Sequence, residues 1–112
     1  MAALPLQNLD IRPAHLVLLR ELLRRHLPHA EVWAYGSRVN GDGHAASDLD
    51  LVVRQPHDLK HETAELGEMV EVFSESNLPI RVDMVDWARI PVSFHEEIER
   101  AYVVVQAVDA HV

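Results

Sequence analysis

Apolar residues recur at helical spacing from Pro13 to about Leu27. Leu16, Leu19, Leu22, Leu23 and Leu27 fall on one side, and Arg20, Glu21, Arg24 and Arg25 on the other. Pro13 suits a first helical position, and Pro28 ends the pattern. The rhythm then changes. "EVWAYG", residues 31–36, alternates and is rich in strand formers, so it reads as a strand ending at Gly36. "DLDLVVR", residues 48–54, reads as a second strand, and Leu49, Leu51, Val52 and Val53 make it a largely buried one. Between them, Ser37 to Ser47 reads as a short helical turn followed by a loop containing Gly41 and Gly43.

A second amphipathic helix fits Asp58 to about Glu75, with Leu59, Leu66, Met69, Val70 and Phe73 facing inward. "IRVDMVD", residues 80–86, alternates as a third strand. Strand, helix, strand is a crossover unit, which sets the third strand beside the second and parallel to it. Ser93 and Glu96 read as a capping box for a last helix from Phe94 to about Arg100. "YVVVQ", residues 102–106, reads as a closing strand. The pattern predicts an α/β (α+β) fold, a small mixed sheet flanked by helices.

With 112 residues, the chain suits one domain, 1–112. Aromatics are only 5% of the residues, so its core is built mainly from Leu, Val and Ile. The formal net charge of −8 and the lack of a dense Lys/Arg stretch argue against direct nucleic-acid binding. Having no cysteine, the chain has no disulfide or thiolate zinc site, which favours a cytoplasmic setting. "MAALPLQNLD" reads as neither signal peptide nor membrane span. His57 and His61 are spaced as zinc ligands on one helical face, but no third ligand is suggested nearby, so they read as surface residues.

Candidate chemistry lies in the two central strands. Residues i and i+2 of a strand share a face, so Asp48 and Asp50 project together, about 6.6 Å apart along the strand. Asp83 projects opposite Val82 and Met84 and can approach that pair from the neighbouring strand. Asp86 is its rival, and more plausibly caps the turn at "WARI". Three converging carboxylates raise one another's pKa unless a cation neutralises them. Hard oxygen donors point to Mg²⁺ or Mn²⁺, and two such ions about 4 Å apart form a clamp for in-line nucleotidyl transfer. Upstream, Gly36 permits close approach to the backbone, and Ser37 opens a helical turn whose hydroxyl and N–H groups can meet phosphate oxygens.

"GSRVNGDGHAASDLDL" resembles the signature of the DNA polymerase β-like nucleotidyltransferase superfamily: Gly-Ser, a ten-residue spacer, then Asp-x-Asp. The chain is most similar to the minimal nucleotidyltransferases, over about residues 14–106. The resemblance implies the polymerase β-like fold, Gly36, Ser37 and Arg38 at the nucleotide, and Asp48, Asp50 and Asp83 as catalytic metal ligands. Asp83 would also deprotonate the acceptor. ATP would be the substrate and two Mg²⁺ ions the cofactors. Where the family pattern carries a basic residue, this chain has Asn40. The resemblance further implies an antitoxin that transfers AMP to a tyrosine of a small all-helical HEPN-domain ribonuclease toxin, in a hetero-oligomer. The catalytic core uses up the chain, so the acceptor site is expected from another polypeptide or a second copy. The alternative is a nucleotide-binding module, weak in catalysis, that neutralises a helical partner by covering it.

Overall fold

The structure, a computed structural model, describes residues 3–43 and 46–108. Residues 44 and 45 of the motif spacer lie outside the described residues. Five strands form one sheet: β1 (Ala3–Leu4), β2 (Glu31–Tyr35), β3 (Leu49–Arg54), β4 (Val82–Asp86) and β5 (Tyr102–Gln106), in the order β1-β5-β2-β3-β4. β2 runs antiparallel to both β3 and β5, whereas β3 and β4 are parallel, as the crossover reading requires. The mixed sheet and four helices match the α/β (α+β) class that the pattern predicts. The short β1, which carries no pattern of its own, pairs with β5.

Both faces of the sheet are covered. Helix α1 (Pro13–His26) buries Leu19, Leu22 and Leu23, with Leu27 just beyond its end. That stripe meets Val32, Ala34, Leu49, Leu51, Val53, Val103 and Val105 from the strands, and Met69 and Phe73 from α3 (Leu66–Glu75). On the opposite face, Trp33, Val52, Trp87 and Tyr102 form a smaller core capped by Ile98 of α4 (Val92–Glu99). Both tryptophans are packing residues. β3 is therefore buried on both sides, as its near-continuous apolar run implies.

Two helix starts differ from the periodicity. The second amphipathic helix begins at Leu66 instead of Asp58. Backbone and side-chain bonds hold the preceding segment in turns: Lys60 N donates to Asp58 Oδ1 (3.1 Å), His61 N to the Asp58 carbonyl (2.9 Å) and Thr63 N to Asp86 Oδ2 (2.7 Å). His57 and His61 thus share no helical face, and Leu59 is exposed. Val70 also points to solvent, and Val72 packs against the core in its place. The last helix starts two residues early, capped at Pro91 without a side-chain bond, so Ser93 lies inside its first turn and makes no capping box. Pro91 is extended (φ −70°, ψ 157°), and its carbonyl accepts from Phe94 N and His95 N, which fixes that start.

Candidate active site

The register of the three central strands brings the candidate residues into a row. Asp50 of β3 pairs with Asp83 of β4 on one side and with Tyr35 of β2 on the other. Asp48 lies just before β3, opposite Arg81, whose carbonyl accepts a 2.8 Å bond from Leu49 N. Alternation then puts Asp48, Asp50, Asp83 and Arg81 on one face of the sheet. Asp86 is elsewhere: buried, accepting from Thr63 N and from Ala88 N, it caps the turn as its sequence context suggested.

Gly36 forms the floor beneath Asp50. Its backbone adopts φ +82°, and a Cβ there would stand 2.5 Å from Asp50 Oδ2. Only glycine allows both the dihedral and the approach. Val39 N and Asn40 N fold back on the Gly36 carbonyl, each at 2.9 Å, making a single helical turn, α2 (Ser37–Asn40). Ser37 opens that turn and is partly exposed. Gly43 then packs on the Ser37 backbone, where a Cβ would meet the Ser37 carbonyl at 3.0 Å.

Arg38 follows Gly36–Ser37 but is buried. Its Nε donates to the Ser47 carbonyl (2.9 Å) and its Nη1 to the Asp10 carbonyl (2.7 Å), while Asp10 N donates back to the Arg38 carbonyl (2.8 Å). The guanidinium laces the N-terminal segment to α2 and to the residue immediately before Asp48. Its observed work is to hold the loop that delivers Asp48.

The electrostatics follow from this crowding. Asp50 is held above the usual carboxylate range, first by burial, then by the charges of Asp83 and Asp48. Tyr35 is pushed up to about 12, by burial first and then by Asp50 and Asp83. Its ring meets Phe94 edge-on, with centroids 5.6 Å apart. The phenol therefore stays neutral and walls one side of the acidic row. Three aspartates on one face of the sheet offer the hard oxygen donors that suit a divalent cation. As they stand, the three carboxylates do not close a cage: Asp48 Oδ2 is 4.0 Å from Arg81 Nε, and among the described residues no three His, Cys, Asp or Glu side chains are grouped to hold a metal.

Tyr35 and Arg81 were not singled out by sequence reasoning. For Arg81 a signal exists, since it lies two residues before Asp83 and alternation gives it the same face. For Tyr35 the signal is absent until the antiparallel pairing of β2 with β3 is known.

Comparison with known proteins gives the family and the fold. Residues 16–112 match the family model described as "Nucleotidyltransferase domain". A Haemophilus influenzae protein named "Probable protein adenylyltransferase MntA" is 41% identical over 99 residues, which cover 88% of this chain and 85% of that protein. Among solved structures, one described as "Crystal structure of the toxin-antitoxin with AMP-PNP" superposes with a TM-score of 0.66 at 19% identity, covering 88% of this chain and 76% of that one. At that identity the likeness speaks for the fold.

Proposed function

Because the chain belongs to the nucleotidyltransferase domain family, we propose that it transfers a nucleoside monophosphate, AMP from ATP, to a hydroxyl of a partner protein. The observation that carries this reading is the facing pair Asp50 and Asp83, one register step apart across parallel strands, with Gly36 beneath and Asp48 beside them. Asp48, Asp50 and Asp83 would hold two Mg²⁺ ions, which when bound supply charge neutralisation for the phosphates. Gly36 keeps the floor open, and Ser37 offers its hydroxyl to the phosphate oxygens. Asp83, on the more exposed strand, accepts the proton of the incoming hydroxyl. The acceptor oxygen bonds to the α-phosphorus, the bond to the bridging oxygen breaks, and pyrophosphate leaves.

The acceptor we assign is a tyrosine of a helical HEPN-type toxin, with this chain as its antitoxin. Two findings support that assignment: the 41% identical relative named as a protein adenylyltransferase, and the toxin–antitoxin setting of the structural neighbour. The test mixes the chain with Mg²⁺, labelled ATP and its helical partner, and reads label on the partner by intact mass. One AMP or more on a partner tyrosine, absent with Asp48→Asn, is the expected result. If Asp48→Asn silences the partner as well as the parent does, silencing works by coverage and the transfer mechanism is wrong.

A further inference from the structure

We infer that Arg81 is an exchangeable counter-cation of the acidic row: it faces Asp48 when no metal is bound and turns to the nucleotide phosphates when the site is loaded. The inference rests on the proposed metal-dependent transfer. Arg81 Nε stands 4.0 Å from Asp48 Oδ2, an ion pair too long for a hydrogen bond. Both side chains are open to water, Arg81 at 83% and Asp48 at 47%, so the pair is weak and easily broken. The backbone is fixed where the side chain is free. Leu49 N donates to the Arg81 carbonyl, continuing the ladder that aligns Asp50 with Asp83, so the backbone that carries the guanidinium is anchored at the rim of the carboxylates.

The position also answers a charge problem. A nucleoside triphosphate brings further negative charge to three aspartates in a chain of formal net charge −8. Asn40 brings none of the positive charge that the resembling pattern has there, and Arg38 is buried and bonded to the Asp10 and Ser47 carbonyls. Arg81 is exposed, lies on the carboxylate face and has a flexible stem long enough to swing. Were Asp48 to hold a divalent ion, so weak a pair at 4.0 Å would give way, and the Arg81 guanidinium, whose fork suits phosphate oxygens, would be free to meet them.

The test reads binding and leaves turnover aside. Mn²⁺ affinity is measured by electron paramagnetic resonance without nucleotide for the parent, Asp48→Asn, Arg81→Met and Arg81→Lys. AMP-PNP affinity is then measured at saturating Mn²⁺. Arg81→Met should bind Mn²⁺ about three- to tenfold more tightly, because a nearby positive charge has gone, and AMP-PNP weaker by a similar factor. Arg81→Lys should follow the parent in both. Mn²⁺ affinity unmoved in Arg81→Met, AMP-PNP affinity unmoved, or a lysine variant that behaves like methionine each overturns the inference. If Asp48→Asn binds Mn²⁺ as well as the parent, the metal site itself is refuted, and this inference falls with it. The exposed side chain packs in no core, so the variants fold, which circular dichroism checks.

Discussion

Gly36 and Asp50 leave no room for a side chain between them: a methyl group on Gly36 would lie 2.5 Å from Asp50 Oδ2. Gly36→Ala would place a side chain at φ +82° and force the Asp50 carboxylate to rotate away. The dihedral alone costs about 1–3 kcal/mol. We expect the fold to survive with that loss in urea denaturation. Nucleotidyl transfer should fall by a hundredfold or more, since the displaced group is a proposed metal ligand.

Asp50 gives a pH dependence of known sign. Its folded-state pKa is raised, by burial and then by Asp83 and Asp48. The folded protein therefore holds the proton more tightly than the unfolded chain, whose Asp titrates near 3.9. This contribution to stability is present in acid and is lost as pH rises through the folded value. Without divalent ions, Asp50→Asn should melt a few degrees above the parent at about pH 7 to 8, the gain vanishing below about pH 4. Adding Mg²⁺ should raise the parent's midpoint and leave that of the variant unmoved. Thermal scans across pH, with and without the ion, measure both.

Tyr35 reports the same row from the alkaline side. Its phenol, ordinarily ionising at 10.0, is pushed up to about 12. The stability it contributes is complete below pH 10.0 and is lost as pH rises through about 12. Subtracting the ultraviolet titration of Tyr35→Phe from that of the parent should isolate one phenol ionising near the upper value. In an Asp50→Asn background the same difference should move down, because one of the opposing charges has gone.

Asp83 and Asp86, three residues apart, should separate cleanly. Asp83 is exposed and faces Asp50; Asp86 is buried and anchors the 55–65 segment through Thr63 N. Asp83→Asn should abolish transfer with little change in unfolding midpoint. Asp86→Ala leaves the buried Thr63 N–H without its partner and should cost about 1–3 kcal/mol. Parallel activity and denaturation series on the two variants decide the assignment.

Much of the fold was legible because the apolar spacing is unambiguous where elements are buried. Leu19, Leu22 and Leu23 drew α1, and the alternation of Val82, Asp83 and Met84 drew β4 with its carboxylate on the correct face. The helix over 58–65 failed because tertiary bonds to Asp86 outweigh local propensity there, and no period reveals them. The closeness of Gly36 to Asp50, and the shared face of Asp48 and Asp50, were legible in their spacing. What could not be read was which partners the register would supply. Tyr35 became part of the acidic row only through its pairing with Asp50, and Arg38 proved to be held by carbonyls 9 and 28 positions away.

The opposite end of the same sheet face carries a test of what is structural alone. The Arg54 guanidinium lies 4.1 Å from the Trp33 ring centroid and 4.5 Å from that of Trp87, and it pairs with Glu31. Trp33 also stacks on Tyr102 at 3.9 Å, and Trp87 on His95 at 3.8 Å. Arg54 thus joins β3 to the small core under α4 by two cation–π contacts and one ion pair. It lies four residues along β3 from Asp50, so it does not touch the acidic row. Arg54→Ala removes both ring contacts and strands a half-buried Glu31 charge, a combined loss of about 2–4 kcal/mol. Arg54→Ala with Glu31→Gln should recover part of that loss, since no charge is then left unpaired. Per folded molecule, transfer and Mn²⁺ binding should match the parent. A variant of normal stability would mean that the stack contributes nothing to the fold, and a folded one that fails to bind Mn²⁺ would mean that the two ends of this face are coupled.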